Sequence, residues 1–257
     1  MPTVRNDGAD LYYDTDGSGE TVAFVGDAGY GAWQWGWQHA AVAGPYRSLV
    51  ADLRGVGRSA GAAVDGVDLD TLSSDLVAVL ADAGVGSAHV VGAGLGGMVA
   101  LQTAVSTARV ESLTLIGTAA SGDGLDLDPL WGDPDDPDAL ARSTAAGVSE
   151  SFRDAHPDAL DRILEWRAAA DAPRPTFEAH AAAAASFDVS DRLYEITPPA
   201  LVLHGAHDGV WPPERGEALA EGLPRGEFRE VDRAGHLVHV EASRRVNDEM
   251  LGFLAEV

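Results

Sequence analysis

Two residues near the C-terminal end offer the clearest acid–base chemistry in this chain: Asp208 in LVLHGAHDGVWPPERGEAL and His236 in AGHLVHVE. A carboxylate that fixes the tautomer of an imidazole makes a pair able to take a proton from water or from an acidic substrate. A nucleophile would complete the set, and the place to look for one is AHVVGAGLGGMVALQ, residues 88 to 102. An apolar run, a knot of glycines and a helical pattern there describe a strand turning sharply into a helix. That is the setting of G-x-S-x-G, whose serine is held out on the turn. The central position here is Gly94, with Ala93 before it. Losing the nucleophile from such a set costs on the order of 10⁶ in kcat. No acyl-enzyme can form through residue 94.

Glycine adopts the strained conformation of such a turn at little cost. Gly94 therefore reads either as a retired nucleophile position or as a vacated volume that admits a water or a substrate atom beside His236. The amides of Leu95 and Gly96, at the start of the following helix, could still receive an anion or oxyanion. Ser59 and Ser121 are poor replacements for the missing serine, because neither lies on a turn that would pin its oxygen beside the histidine. Asp123, at the end of the preceding strand, is the alternative to Asp208 as the acid.

These residues need a sheet to hold them. ADLYYDTDGSGETVAFVGDAG reads as a strand, a glycine-rich turn and a buried strand, and YRSLVADLRGVGRS as a strand ending in a loop after Asp52. Buried strands follow at HVVGAG, SLTLIG, ALVLHG and, more weakly, EFREV. DLDTLSSDLVAVLADAGV is a helix, with Leu72, Leu76, Val79 and Leu80 on one face and Asp68 or Asp70 capping its start. Continuously apolar strands alternating with helices belong to a mostly parallel twisted sheet covered on both faces. The rhythm breaks between about 121 and 196, where short proline-broken helices predict a helical cap inserted into a single α/β domain spanning 1–257.

In order along the chain, DLRGVGRS, VGAGLGGMVA, LVLHGAHDGVWPPERGEAL and AGHLVHVE resemble the α/β-hydrolase superfamily across essentially the whole length. The resemblance implies the α/β-hydrolase fold, with Asp208 as catalytic acid, His236 as catalytic histidine and Gly94 at the vestigial nucleophile position. It also implies an oxyanion pocket near Ala28, Leu95 and Gly96. The chain departs from the family again after its first buried strand, where FVGDAGYGAWQW puts Gly26-Asp27 in place of His-Gly. Asp27 reads either as a turn residue bonding its own backbone or as a carboxylate in the pocket, where it could polarise His236 or bind a cationic or hydroxylated ligand. Near an oxyanion hole that charge opposes ordinary acyl transfer.

His204, His207, His236 and His239, with Asp208 and Glu241, invite a metal-site reading. The resemblance implies structural roles for His204 and His239, and the spacing does not make the set converge, so no metal is expected and no cofactor. Trp33, Trp35 and Trp37 are expected to pack a helix on the sheet. The 41 acidic residues face 17 basic ones, all arginine, for a formal charge of -24. Such a surface repels nucleic acid and anionic membranes and suits concentrated salt, where repulsion is screened. Without cysteine, disulfide and thiolate chemistry are excluded. No signal peptide or membrane span is legible, and a cytoplasmic protein is expected. The expected function is a hydrolase-class enzyme acting on a small organic substrate by general-base, non-covalent chemistry. The alternative is a non-catalytic pseudo-hydrolase that binds a small molecule or serves as a scaffold.

Overall fold

The computed structural model describes residues 2–257. Its centre is an eight-stranded sheet in the order β1-β2-β4-β3-β5-β6-β7-β8. The strands are β1 Thr3–Asn6, β2 Ala9–Gly17, β3 Thr21–Val25, β4 Arg47–Ala51, β5 Ala88–Ala93, β6 Val110–Ile116, β7 Ala200–Gly205 and β8 Gly226–Val231. β1, β2 and β4 pair antiparallel in turn, and every pairing from β4 through β3 to β8 is parallel. This is the α/β-hydrolase fold.

Each apolar strand divides its side chains between two cores. Val90, Leu115 and Val202 join one apolar cluster, while their chain neighbours Val91, Ile116 and Leu203 join the other. That alternation is the pleat at work: both faces are covered, so both sets of side chains must be apolar. The helices outside the β6–β7 connection are α1 Gly36–Val42, α2 Leu69–Asp82, α3 Leu95–Ser106, α8 Pro213–Gly222, α9 Val238–Glu241 and α10 Ser243–Leu254. Asp68 caps α2, its carboxylate accepting from the Thr71 amide at 2.8 Å. Leu72, Leu76, Val79 and Leu80 are buried.

Between β6 and β7 lie α4 Pro137–Gly147, α5 Glu150–Ala155, α6 Pro157–Ala170 and α7 Arg174–Ser186. Proline stands in the first turn of α4, α6 and α7, where its missing N–H costs nothing. Among the described residues no helix is long and apolar enough to cross a membrane.

One strand escaped the sequence reading. β1 pairs with β2 from Thr3↔Tyr12 to Asn6↔Ala9, through a two-residue turn at Asp7-Gly8, both at positive φ. Its four residues alternate between exposed and half-buried, so no apolar run marks it. The Asp-Gly pair is the signal that could have found it.

Candidate active site

β5 is buried along its whole length, and its last residue, Ala93, leads into Gly94 at φ 50° and ψ -117°. The glycines around this turn allow α3 to sit hard against the sheet. A side chain on Gly96 would run into the carbonyl of Val25, and one on Gly97 into Thr118. Thr118 Oγ1 donates to the Gly94 carbonyl at 2.7 Å, which fixes the turn from the adjacent loop.

β3 ends at Val25, and the chain turns at once through Asp27-Ala28-Gly29-Tyr30. The Tyr30 amide donates to the Asp27 carbonyl at 3.1 Å, and Gly29 stands at φ +70°, the pattern of a type II turn. Buried Gln34 steadies it, accepting from the Asp27 amide and donating to the Gly31 carbonyl at 3.2 Å.

The turn delivers the Asp27 carboxylate into the space that Gly94 leaves open. Asp27 Oδ1 accepts from its neighbour's amide, Ala28 N, at 2.7 Å and from Leu95 N at 2.8 Å. Leu95 N is the first amide of α3, so the helix N-terminus adds a favourable field. Asp27 Oδ2 meets His236 Nε2 at 2.8 Å, and His236 Nδ1 meets Asp208 Oδ2 at 2.9 Å. A side chain on Gly94 would put its Cβ 2.5 Å from Asp27 Oδ2 and closer still to Oδ1 and Cγ. Residue 94 and Asp27 therefore cannot both carry a side chain into this volume. The expectation that a water or substrate atom fills the space is corrected: a carboxylate fills it.

Asp208 is itself firmly placed. Its Oδ1 accepts from Val210 N and Trp211 N, both at 2.9 Å. Its Oδ2 also lies 3.2 Å from His204 Nε2, which donates to the Trp211 carbonyl at 2.7 Å. The Trp211 indole stacks over His236, with ring centroids 6.4 Å apart.

Ionised carboxylates only accept, so a histidine between two of them must donate from both ring nitrogens. Burial alone would lower the His236 pKa. The Asp208 charge and hydrogen bond, joined by those of Asp27, overcome this and push it up to about 10. For Asp208 burial works upward, but the charge of His236 and bonds from His204 and His236 hold it below the usual carboxylate range. With both carboxylates ionised, His236 is an imidazolium between them. His239, also buried, is pushed down to about 3 by burial and by the nearby charge of His236.

The remaining sequence candidates fall elsewhere. Gly96 makes no hydrogen bond to the Asp27 carboxylate; its place in the site is the close approach of α3 to β3. Asp123 is exposed, and its carbonyl takes a hydrogen bond from Arg215. Ser59 is buried structure, bonding the Asp52 carbonyl and the Tyr12 amide. Of the tryptophans, Trp35 is fully buried between Phe24 and His239, and Trp37 packs on Trp166.

Three residues of the 121–196 segment, absent from the sequence reading, hold the Asp27 turn in place. His180 Nδ1 accepts from the Gly29 amide at 3.1 Å while its Nε2 donates to the Arg54 carbonyl at 3.1 Å. Burial pushes the His180 pKa down to about 4, so this neutral tautomer persists. Asp171 Oδ1 accepts from the Gly31 amide at 3.1 Å and from Trp33 Nε1 at 2.7 Å. Arg167 Nε donates to Asp171 Oδ2 at 2.7 Å, and its other nitrogens donate to Ser143, Thr144 and the Leu130 carbonyl. A histidine among Phe177, Ala183 and Ala184 on the buried face of α7 is the signal that could have exposed His180.

A family model described as alpha/beta hydrolase fold matches residues 28–243. The 2-hydroxy-6-oxononadienedioate/2-hydroxy-6-oxononatrienedioate hydrolase of Paraburkholderia phymatum is 30% identical over 264 residues, 95% of this chain and 90% of that protein. The 3-oxoadipate enol-lactonase 1 of Acinetobacter baylyi is 26% identical over 239 residues, 92% of this chain and 89% of the other. Among solved structures, Est816, described as an N-acyl homoserine lactone degrading enzyme, superposes with a TM-score of 0.86 at 27% identity. The likeness covers 98% of this chain and all of that one.

Proposed function

The chain belongs to the α/β-hydrolase family, and on that premise we propose that it is a hydrolase of small organic molecules that works without a serine ester. The observation that carries this reading is the linked set Asp27–His236–Asp208, with contacts of 2.8 and 2.9 Å. A retired site has no need to keep both the histidine and the carboxylate that orients it, and here a second carboxylate has been added. His236, steered by Asp208, is the group that takes a proton from water; it can do so only in steps where the charge of Asp27 is removed or turned away. The molecules named for the relatives, an oxononadienedioate, an enol-lactone and an N-acyl homoserine lactone, point to a small substrate. The helices of 121–196 serve as the cap over it. The acidic surface sets the working medium as concentrated salt, where self-repulsion is screened.

The test is a panel of small esters, lactones and enol-lactones assayed in concentrated salt. Turnover is expected, with His236→Ala lowering it by about 10³-fold and a fluorophosphonate failing to label the protein. The second reading, a non-catalytic binder, is favoured by closure: the side chains of Asp27 and His236 are only 1% and 2% exposed. No turnover on any substrate of the panel decides for the binder; turnover indifferent to His236→Ala overturns the role given to His236.

A further inference from the structure

We propose that Asp27 is itself the nucleophile: its Oδ2 attacks the ring carbon of an epoxide, forming an ester that water then cleaves at Cγ. This rests on the hydrolase reading above and departs from its expected non-covalent route. Oδ2 lies 2.8 Å from His236 Nε2, the nitrogen that a nucleophile in this site must face. Oδ1 already occupies the two-amide cradle of Ala28 and Leu95, at 2.7 and 2.8 Å. Once Oδ2 is esterified, Oδ1 is the carbonyl oxygen of that ester, seated where negative charge develops as hydroxide adds to Cγ. An unreactive turn aspartate needs one of these contacts; this one makes all three, and Gly94 clears the volume for it.

The site's protons identify the substrate class. A carboxylate attacking an acyl carbon would give a mixed anhydride, whereas attack on a saturated carbon gives a stable ester. The leaving group must then use the proton that His236 holds. A strained ring supplies both requirements, because opening it releases an alkoxide that needs a proton. In the first half, Oδ2 bonds to carbon, the ring C–O bond breaks, and the alkoxide takes the Nε2 proton. The products are a hydroxyalkyl ester on Asp27 and a neutral His236.

In the second half, neutral His236, still oriented by Asp208, takes a proton from water as hydroxide adds to Cγ. The tetrahedral oxyanion collapses and expels the diol oxygen, which takes the proton left on Cγ's new hydroxyl. Carboxylate and imidazolium are restored, and the sum is epoxide plus water to diol. The groups facing His236 are consistent with this cycle. Asp208 stays charged throughout, Asp27 alone changes charge, and neutral His239 and the Trp211 ring add none. Esterification removes one of the two carboxylates that keep His236 protonated, so the base appears only after the first half. Asp27 is 1% exposed, so reaching it requires a local opening of the site.

The parent protein, in excess over styrene oxide in heavy-oxygen water and concentrated salt, tests this in a single turnover. Heavy oxygen is expected in the peptide containing Asp27 and none in the diol, with diol formation lost in Asp27→Asn. Diol carrying heavy oxygen, with an unlabelled Asp27 peptide, overturns the nucleophile while leaving a hydrolase in place. No diol and no mass adduct on the Asp27 peptide also overturns it, and the ester and lactone panel then judges the hydrolase reading separately.

Discussion

Gly94→Ser is expected to destabilise this protein rather than restore a serine hydrolase. The new Cβ meets the Asp27 carboxylate at 2.5 Å or less. Overpacking of this kind costs about 1–3 kcal/mol. Holding a non-glycine residue at φ 50° adds about 1–3 kcal/mol. A loss on the order of 3 kcal/mol in chemical denaturation follows. Asp27→Gly in the same chain removes the obstacle and empties the Ala28–Leu95 cradle, so the two substitutions are not additive. Their coupling is expected to favour the double variant by about 1–3 kcal/mol. The double variant alone should be labelled by a fluorophosphonate, because only there do a serine oxygen, a free cradle and His236 coincide. Additive energies, or labelling of the single Gly94→Ser variant, would show that Asp27 does not hold this volume.

The second large effect is expected far from the turn in sequence, at Asp171. Its side chain and that of Arg167 are 3% and 1% exposed, so each leaves a buried charge if the other is removed. Asp171→Ala strands the Arg167 guanidinium and also deprives Gly31 N and Trp33 Nε1 of their acceptor. Breaking a buried pair on one side costs about 3–5 kcal/mol. Urea titration of the variant measures it, and a loss below about 1 kcal/mol, typical of exposed pairs, would contradict the account. Removing both charges, as Arg167→Met with Asp171→Leu, is expected to cost less than the two single losses summed, since no charge is then left unpaired. Because these residues hold the 29–31 backbone, the Asp171 variant also loosens the turn that presents Asp27.

The sequence revealed much of the scaffold because its logic is local. Continuous apolar runs located β3 through β7, and the spacing of Leu72, Leu76, Val79 and Leu80 located α2. Asp208 and His236 were legible from the segments that carry them. Asp27 was legible as an oddity, but its two readings looked like rivals, and the structure unites them: Oδ1 bonds its own turn while Oδ2 holds His236. Nothing in a one-dimensional pattern states that residues 27 and 94 share one volume. Arg167, in the last turn of α6, and Asp171, its C-cap, lie four apart in a polar stretch that no apolar spacing sets apart. Their burial comes from tertiary packing against Tyr30 and Leu130, which no local pattern carries.

Both pKa displacements turn the site into a determinant of stability. His236 is raised, so its contribution is complete below its unfolded value of 6.5 and is lost as pH rises through about 10. Asp208 is lowered, so its contribution is present above the ordinary carboxylate range and is lost as pH falls through its folded value.

The state of the His236 ring tests the placement of Asp27 most directly. Nitrogen chemical shifts of that ring, followed through a pH titration, should show imidazolium well above neutrality, with deprotonation near 10. In Asp27→Asn the midpoint should fall, because one of the two charges that hold the proton is gone. A ring that titrates near 6.5, with the same midpoint in both proteins, would mean that the Asp27 carboxylate is not on His236.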